Sequence, residues 1–586
     1  MKTRFPVLIL FAGCFFLSFP SPASDSSEPG QWRRDKLLID LHQHIDYTTQ
    51  HLARAVKIMD AVGLGVVANL GGETVTHTGD APSGFEKGKQ LADALFPGRF
   101  VQYMTLDFTG WDSPDFSQRA VHQVEEGYRL GAAGLKEFKR LGLYLRDGSK
   151  ELIKVDDHKL DPVWQRCGEL GMPVSIHVAD PKAFWLPYNA QNERWKELKD
   201  HPAWWFGDTN KFPTWKDLLG SLSHVIGRHP RTTFVSVHFG NNAEELDWVD
   251  NELSTHPNMM VDLAARIPEV GRHDPAQVRR FFLKHQDRIL FATDFQVYDR
   301  LILGSSGNEP PPADADAEVF FFKEYRWLET NDRNWAHMTP IQGDWTISSI
   351  GLPAPVLRKV YFDNARKLLA RTLPKPVLRA RRISQDLEVD GLLSEAPWGT
   401  GAPVFIEQRA IDGTVLPEMS TRVRALWSAK YLYLAFECPF TKLTVFLGPP
   451  VEERYNLQTE GESLWDKDVV EAFIGSDAGS IGKYAEFEVA PNHERLDVLV
   501  NLPQKDFSWK SGFESAVHID RKKHLWVCEM RIPWEAFQPN PPASGSVWRL
   551  NLYRSDRANR AFMAWRPLLT GSFHTPDRFG LLEFAE

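Results

Sequence analysis

The chain has 586 residues, of which 42% are hydrophobic and 25% are charged, and its formal net charge is −9. This composition is typical of globular proteins and argues against a disordered, collagen-like or coiled-coil chain. The mild acidity and the lack of a basic block argue against a nucleic-acid partner. The length predicts two to four domains, or one large barrel with an added module. The 20 Trp and 37 Phe residues suit a large core or the recognition of sugar rings.

Residues 1–23 have the pattern of an export signal. Lys2 and Arg4 form a short positive region, residues 5–19 are mostly apolar, and residues 21–23 are small enough for cleavage. The apolar run is shorter than the roughly 20 residues of a membrane-spanning helix, and no later segment qualifies. We therefore expect no membrane span and a periplasmic or secreted protein. Cys14 lies in a segment that loosely resembles a lipoprotein box, so lipid anchoring is the alternative, although the apolar run continues past this residue.

Short apolar runs alternate with amphipathic stretches over residues 36–372. The predicted strands are 37–42, 65–70, 100–107, 133–138, 173–178, 233–238, 258–263 and 288–294. The predicted helices are 51–63, 85–96, 116–131, 160–171, 214–230, 242–255, 275–286 and 354–371. Eight apolar strands, each followed by a helix, predict an α/β fold of the (β/α)8 TIM barrel type. The competing fold is an open doubly wound sheet, which is disfavoured because no glycine-rich phosphate loop follows the first strand.

Two connections in this region are too long for ordinary loops. Residues 179–213 follow the fifth strand and residues 295–350 follow the eighth, and both contain several Trp residues. Both leave the carboxyl ends of strands, the face on which barrel enzymes build their sites. We interpret them as lids with aromatic walls. The alternative is that they pack on each other or on a second domain.

Five ionisable residues stand at the ends of predicted strands. His42 and His44 end the first strand, His177 the fifth, His238 the sixth and Asp294 the eighth. Residues two apart on a strand point to the same side, so His42 and His44 can face the barrel interior together. One such residue alone is typical of a satisfied core position, but five at matching strand ends converge on one rim. Three imidazoles and a carboxylate form a ligand set for a divalent ion, with zinc expected first and manganese as the alternative.

The segment from Asp40 to His44, the later strand-end histidines and Asp294 resemble the amidohydrolase superfamily. The segment from Val360 to Arg366, VYFDNAR, is similar to the amidohydrolase-related (amidohydrolase 2) branch, which includes metal-dependent hydrolases, lactonases and non-oxidative decarboxylases. The resemblance spans residues 36–372. It implies that one metal is held by a set of four residues: His42, His44, His177 and Asp294. It also implies that His238 is the nearby acid/base group, with Asp294 able to accept a proton.

Lys136 lies at the end of the fourth predicted strand, with Lys139 three residues later. Other branches of the superfamily place a carboxylated, metal-bridging lysine there, so either residue is a candidate for that role. The alternatives are a grip on a substrate carboxylate and an ordinary lysine at the barrel mouth. Asp262 ends the seventh strand, where a supporting role near the metal and a structural role are both compatible with the sequence.

Residues 373–383 are rich in Pro and Arg and are predicted to be a linker. Residues 384–586 then show short β-rich runs without long amphipathic helices, which predicts an all-β sandwich. The expected strands are 422–426, 431–437, 469–474, 484–489, 496–500, 526–532, 548–553 and 580–584. This part resembles the family 9 carbohydrate-binding modules in several segments: 389–398, 425–427, 431–436, 468–473, 532–534, 551–554 and 578–580.

The resemblance implies carbohydrate binding, for which four side chains are candidates: Trp465, Trp509, Arg554 and Trp565. Trp398, Trp427 and Trp534 lie within the fold motifs and are expected in the core. Cys438 and Cys528 fall on predicted strands, and the sequence leaves open whether they pair.

Together these features predict an exported metal-dependent hydrolase with an attached carbohydrate-binding domain. The expected substrate is derived from a carbohydrate, such as a lactone, an ester or a glycoside. This expectation rests on the attached module and the aromatic lids. One alternative is a non-oxidative decarboxylase that uses the same metal site. Another is a non-catalytic protein that captures carbohydrate. The sequence does not specify an oligomeric state.

Overall fold

The structure is a computed structural model that describes residues 27–305, 310–411, 413–448, 463–477, 480–538, 540–568 and 571–586. The chain divides into two compact units, one ending at Thr372 and the other beginning at Leu373. The expected signal peptide over residues 1–23, with Cys14, lies outside the described residues. Among the described residues, none of the helices combines the length and the apolar character needed to cross a membrane.

The first unit is a (β/α)8 barrel, which confirms the predicted fold class. Its strands are β1 (Leu38–Ile45), β2 (Leu64–Asn69), β3 (Phe100–Met104), β4 (Gly134–Glu137), β5 (Val174–Ile176), β6 (Phe234–Ser236), β7 (Met259–Asp262) and β8 (Ile289–Leu290). Neighbouring strands pair in parallel from β1 to β8. The ring closes beyond β8, where Leu41 N donates to Phe291 O at 3.0 Å and Asp294 N donates to His42 O at 2.9 Å.

Helices connect these strands and cover the barrel. They span Glu28–Arg34, Thr49–Val62, Gly84–Leu95, Phe116–Leu130, Asp161–Glu169, Trp215–Arg228, Leu246–Thr255, Ile267–Val270 and Pro275–Lys284. The helix predicted over 354–371 is instead Ala354–Arg358, a π-helical turn over Lys359–Asp363 and a helix over Asn364–Leu368. Asn364 anchors this region to the barrel by donating to Ile289 O at 2.8 Å.

The two long connections contain secondary structure of their own. Residues 179–213 include short turns and the helix Trp195–Leu198. Residues 295–350 include β9 (Phe295–Val297), β10 (Leu301–Leu303), the helix Asp314–Glu329, β11 (Trp335–Ala336) and β12 (Thr346–Ile347). Trp327 on the long helix is fully buried. The second connection is therefore an elaboration of the barrel with its own packed core.

The second unit is a β-sandwich whose strands are mostly antiparallel, as predicted. Its strands are β13 (Val377–Arg382), β14 (Val404–Ile406), β15 (Gln408–Arg409), β16 (Thr421–Trp427), β17 (Tyr431–Pro439), β18 (Val469–Gly475), β19 (Lys483–Val489), β20 (Arg495–Asn501), β21 (Gln504–Asp506), β22 (Glu514–Asp520), β23 (Leu525–Pro533), β24 (Val547–Asp556), β25 (Ala561–Ala564) and β26 (Gly580–Ala585). Alternate residues of these strands fill an apolar core that includes Trp427 and Trp534, and Trp398 is also buried.

Strand β13 falls within the segment expected to be a linker, so that expectation needs correction. Val377–Arg382 pairs in parallel with β26 and with the end of β16. Leu378 and Ala380 alternate with more exposed residues and are fully buried. An alternation with period two is the pattern of a half-buried strand, and the neighbouring Pro and Arg residues obscured it.

The cysteines of the described residues are free thiols. Cys167, Cys438 and Cys528 are all buried. Cys438 and Cys528 lie on the paired strands β17 and β23, where their direct partners are Trp526 and Phe436. Burial raises the pKa of the Cys438 thiol to about 12, which is typical of an inert core residue.

Candidate functional site

Three predicted ligands meet at the carboxyl ends of the barrel strands. One ligand atom from each of His42, His44 and Asp294 lies within 4.8 Å of the other two. His44 Nε2 is 3.3 Å from Asp294 Oδ1, and His42 Nε2 is 3.8 Å from the same oxygen. Two imidazoles and a carboxylate at these separations form an N/O donor set that suits a divalent cation.

Asp262 holds His42 in the tautomer that a metal ligand needs. Its Oδ2 accepts a hydrogen bond from His42 Nδ1 at 2.9 Å. Because Nδ1 carries the proton, Nε2 keeps its lone pair on the side of Asp294. The other oxygen of Asp262, Oδ1, accepts from the backbone N–H of His238 at 2.7 Å and from that of Ala264 at 3.3 Å. Carboxylates in this position orient metal-ligating histidines in many proteins.

Asp40 connects strand β1 to the segment after β8 by hydrogen bonds. Its carboxyl oxygens accept from His42 N at 3.1 Å, Gln43 Nε2 at 2.7 Å and Thr293 Oγ1 at 2.6 Å. Burial raises the pKa of Asp40 to about 7, against the lowering effect of these hydrogen bonds. The residue therefore joins β1 to the segment that carries Asp294, some 250 positions later.

The backbone is strained at two of the candidate residues. His238 has φ 54° and ψ 49°, and Asp294 has φ 58°, both in the left-handed region that non-glycine residues rarely adopt. Such a conformation costs about 1–3 kcal/mol and concentrates at functional sites. At His238 the turn brings the ring into the cavity, where Nδ1 donates to Ala264 O at 2.9 Å. Nε2 of His238 is thereby left as the acceptor.

His177 lies in the same cavity but outside the compact group of three. Its ring centroid is 4.3 Å from that of His238, and its Nε2 is 3.3 Å from Asp180 Oδ1. Asp180 is also paired with Lys139. The ring thus lies beside a carboxylate that sequence reasoning did not single out, although its Nε2 has no hydrogen-bond partner among the described residues. The fourth predicted ligand is near the other three without being directed at the same point.

Burial sets the charges of these groups. Burial lowers the pKa of the His177 imidazole to about 4 and that of His238 well below its ordinary value. Burial, followed by the charge of Lys136, lowers the pKa of His42. Burial acts to raise the pKa of Asp294, but its hydrogen bond to His44 and its proximity to His42 bring it down to about 2. The imidazoles of His42, His177 and His238 are therefore uncharged near pH 7, and the carboxylate of Asp294 is ionised.

Lys136 is buried beside the group of three. Its Nζ is 3.4 Å from His42 Nε2 and 5.4 Å from the centre of the Phe138 ring. No carboxylate in the described part of the chain pairs with it within 4.0 Å. Burial lowers its pKa to about 8. Lys139 instead pairs with Asp180, so the two lysines have different surroundings.

These residues line a cavity of about 370 Å³, a volume within the range of small-molecule sites. Residues 179–213 contribute part of its wall, including Phe184, Arg194 and Trp204. The segment after the eighth strand contributes Gln296 and Ser305. Trp204 is thus the one Trp of the two connections that lines the cavity among the described residues. Arg194 is fully buried and donates to Glu197 Oε2 at 2.7 Å.

The four carbohydrate candidates of the sandwich occupy different environments. Trp465 lines a second cavity, of about 360 Å³. Trp509 is half-buried and packs near Phe487 of the core. Trp565 is 5% exposed and belongs to the core. Arg554 is 2% exposed and donates to Thr421 Oγ1 at 2.8 Å. Trp565 and Arg554 therefore support the fold, and neither presents a face to the cavity.

Comparison with known proteins agrees with this division. The Amidohydrolase family model matches residues 97–371. Residues 97–371 form an amidohydrolase domain. The Carbohydrate family 9 binding domain-like model matches residues 389–586, so the amidohydrolase domain is followed by a carbohydrate-binding type of module. His177, His238 and Asp294 lie within the matched range of the amidohydrolase domain. His42 and His44 precede it, and their placement rests on the geometry above.

Individual relatives of both domains are distant. An "Extracellular protein" of Arthroderma benhamiae is 26% identical over 207 residues, which are 32% of this chain and 87% of that protein. A family 9 module from Caldicellulosiruptor kristjanssonii in complex with cellotriose is 13% identical and covers 36% of this chain and 94% of its own, with a TM-score of 0.27. A dihydroxybenzoic acid decarboxylase from Polaromonas sp. JS666 with bound manganese and the inhibitor 2-nitroresorcinol is 16% identical and covers 57% of this chain and 96% of its own, with a TM-score of 0.33.

Sequence reasoning missed several groups in the amidohydrolase cavity. Asp180, Arg194, Glu197 and Arg266 all line it, and none ends a strand. A signal was present in the spacing of Arg194 and Glu197, because charges three apart pair on one turn of a helix. For Asp180, the available signal was its position three residues after the strand-end residue His177.

Proposed function

We propose that the protein is an exported, metal-dependent hydrolase that acts on a carbohydrate-derived substrate such as a lactone, an ester or a glycoside. The observation that carries the proposal is the convergence of His42, His44 and Asp294 beside the strained, proton-accepting His238 in one cavity. An amidohydrolase barrel with this donor set is built for metal-assisted attack of water on an electrophilic carbon. We propose a domain plan of a signal peptide over 1–23, a barrel over 36–372 and a sandwich that begins with β13.

The donors fit a divalent cation, and we propose that His42, His44, His177 and Asp294 would hold it. Zinc is proposed first, because imidazole and carboxylate donors suit it, with manganese as the alternative. Such an ion supplies Lewis-acid polarisation of the substrate and of water. The protein's own contribution is to hold the donors in place through Asp262 and Asp40.

His238 is proposed as the proton carrier. Its Nδ1 is committed to the carbonyl of Ala264, so Nε2 has a lone pair for a proton. Burial lowers its pKa, so the ring is uncharged at neutral pH and returns a proton readily to a leaving group. Asp294 is proposed to accept the proton of the attacking water, and His238 Nε2 is proposed to take up this same proton and return it to the leaving group. Lys136, a buried cation without a described carboxylate partner, is proposed to hold an anionic or developing-anionic oxygen of the substrate.

The sandwich is proposed to bring the barrel to carbohydrate. Trp465 offers an aromatic face in a cavity of about 360 Å³, and aromatic faces stack on the apolar faces of sugar rings. The solved family 9 module noted above carries cellotriose. Export to the periplasm or the exterior is proposed from residues 1–23, and the name of the Arthroderma relative is in keeping with it.

The test is a turnover screen of sugar lactones, esters and oligosaccharides with the purified full chain. Chelation should abolish turnover, and zinc or manganese should restore it. His44→Ala should behave like the chelated protein, whereas His158→Ala, which changes an exposed histidine, should not. Turnover that is unaffected by chelation contradicts the proposed metal mechanism.

The same screen separates the alternative functions. A hydrolase run in ¹⁸O-labelled water should place the label in its product. Release of CO2 with no ¹⁸O in the organic product would identify a decarboxylase instead. Retention of glycan on an affinity gel after metal stripping, with no turnover of any substrate, would identify a carbohydrate-capture protein.

A further inference from the structure

Three glutamates of the sandwich share one face of two paired strands. Glu471 on β18 lies directly opposite Glu488 on β19 in the antiparallel register. Glu486 is two residues from Glu488 and therefore points to the same side. Like charges directly opposite each other destabilise a sheet. The arrangement is therefore stable only when bound protons or a cation offset the charges.

The three carboxylates are buried. Glu471, Glu486 and Glu488 are 2%, 4% and 0% exposed. Within the described ranges, both oxygens of Glu488 and Oε1 of Glu471 lack a hydrogen-bond partner. These side chains line the same cavity as Trp465, so a ligand that enters the cavity comes close to the cluster. Buried carboxylates without partners are costly unless they are paired or bind a metal.

The cationic side chains around the cavity are engaged elsewhere. Lys505 Nζ contacts His574 Nε2 at 2.5 Å, and Arg557 donates to Asp466 Oδ1 at 2.9 Å. Among the described residues, one ion pair reaches the cluster, between His574 Nε2 and Glu486 Oε2 at 4.0 Å. The protein therefore surrounds three buried acids with little direct positive charge.

We propose that Glu471, Glu486 and Glu488 hold a divalent cation at the base of this cavity, and that the cation is Ca²⁺. One oxygen from each side chain lies within 4.8 Å of the others. Two oxygens that bind one Ca²⁺ at about 2.3–2.6 Å are separated by at most about 5 Å, so the cluster needs little rearrangement. A donor set made only of carboxylate oxygens selects Ca²⁺ over zinc.

The rest of the cavity provides for the remaining ligands. Ca²⁺ takes six to eight oxygen ligands, and three glutamates supply at most six. The cavity of about 360 Å³ leaves room for waters or for hydroxyl groups of a bound sugar. This site lies in the second unit and is independent of the function proposed for the barrel.

The test is calorimetric titration of the chelator-treated full chain with Ca²⁺, combined with thermal melting. The wild-type chain should bind one Ca²⁺ at this site and melt at a higher temperature when it is present. Glu471→Gln/Glu488→Gln should weaken binding at least tenfold and remove the Ca²⁺-dependent rise in melting temperature. His44→Ala should bind Ca²⁺ as the wild type does. Glu583→Gln, on strand β26 outside the cavity, is the matched control and should also bind normally.

The melting temperature in chelator shows whether the double variant still folds. Because the Gln substitutions remove buried charge and keep side-chain size, the double variant should melt in chelator no lower than the wild type. Absence of Ca²⁺ binding by the wild type at millimolar concentration would overturn the proposal, as would full binding by the double variant. Binding of glucose that is equally strong in chelator, with no Ca²⁺ bound at any concentration tested, would mean that sugar hydroxyls meet the carboxylates directly and would also overturn it.

Discussion

Replacement of Asp262 by Asn tests how the barrel prepares its metal ligands. Asp262 accepts three hydrogen bonds, from His42 Nδ1 and from the backbone N–H groups of His238 and Ala264. Asn has one acceptor oxygen and one NH2 donor. If the oxygen keeps the two backbone bonds, the NH2 group faces His42 Nδ1, which must then become an acceptor. The imidazole proton moves to Nε2, and the lone pair on the metal side is lost.

The expected effect is a loss of metal affinity without a loss of fold. Removal of a carboxylate that orients a metal-ligating histidine costs roughly 10- to 100-fold in affinity, or about 1.4–2.7 kcal/mol. The two backbone hydrogen bonds survive, so the melting temperature of the metal-free protein should stay close to that of the wild type. The assay is zinc titration in a competing chelator, with metal content measured after dialysis.

A matched control isolates the tautomer effect. Asp250 on the outer surface of the barrel accepts from His285 Nε2 at 2.7 Å, a carboxylate–imidazole pair remote from the cavity. Asp250→Asn should leave zinc affinity unchanged. Wild-type zinc affinity in Asp262→Asn would refute the argument that Asp262 sets the tautomer of His42.

The other predictions concern both domains. His238→Ala should keep its metal, by elemental analysis, and lose about 10²-fold or more in kcat; loss of the metal would make His238 a ligand. Lys136→Met should raise zinc affinity at least about tenfold, because a neighbouring cation is removed; weaker binding would instead indicate a carboxylated, metal-bridging lysine. Trp465→Ala should weaken retention on a glycan gel with little change in melting temperature, whereas Trp565→Ala should destabilise the core by about 3–5 kcal/mol in denaturant unfolding; the reverse pattern would contradict their placement. In chelator, burial raises the pKa of Glu488 well above its ordinary value, so the folded state keeps a proton that the unfolded state releases above about pH 4.5. The free energy of unfolding should therefore fall as the pH rises from that value. A free energy of unfolding that does not change with pH would contradict the burial of this cluster.

Much of the barrel could be predicted because its signals are local. Eight apolar runs at strand length, each followed by an amphipathic helix, are readable along the chain, and each predicted strand overlaps an observed one. The placement of His42, His44 and Asp294 followed from the rule that strand ends share one rim. The sandwich was harder, because strands such as β15 have only two residues and carry too little alternation to be recognised.

The remaining details depend on residues that are far apart in sequence. Burial of Arg554 could not be inferred from composition, since Arg is usually exposed, and its partner Thr421 lies 133 positions earlier in the chain. The carboxylate of Asp180 beside His177 likewise pairs with Lys139, which follows a different strand. Such pairings carry no local periodicity that a sequence pattern could report.

The sequence by itself determined the two-part architecture and the ionisable residues at the barrel rim, because periodicity and strand ends are properties of short segments. Tertiary structure alone decided which tautomer His42 adopts, which aromatic residues line a cavity, and that Glu471 meets Glu488 across two strands. Those outcomes depend on hydrogen bonds and burial between segments whose distance in space the order of residues does not state.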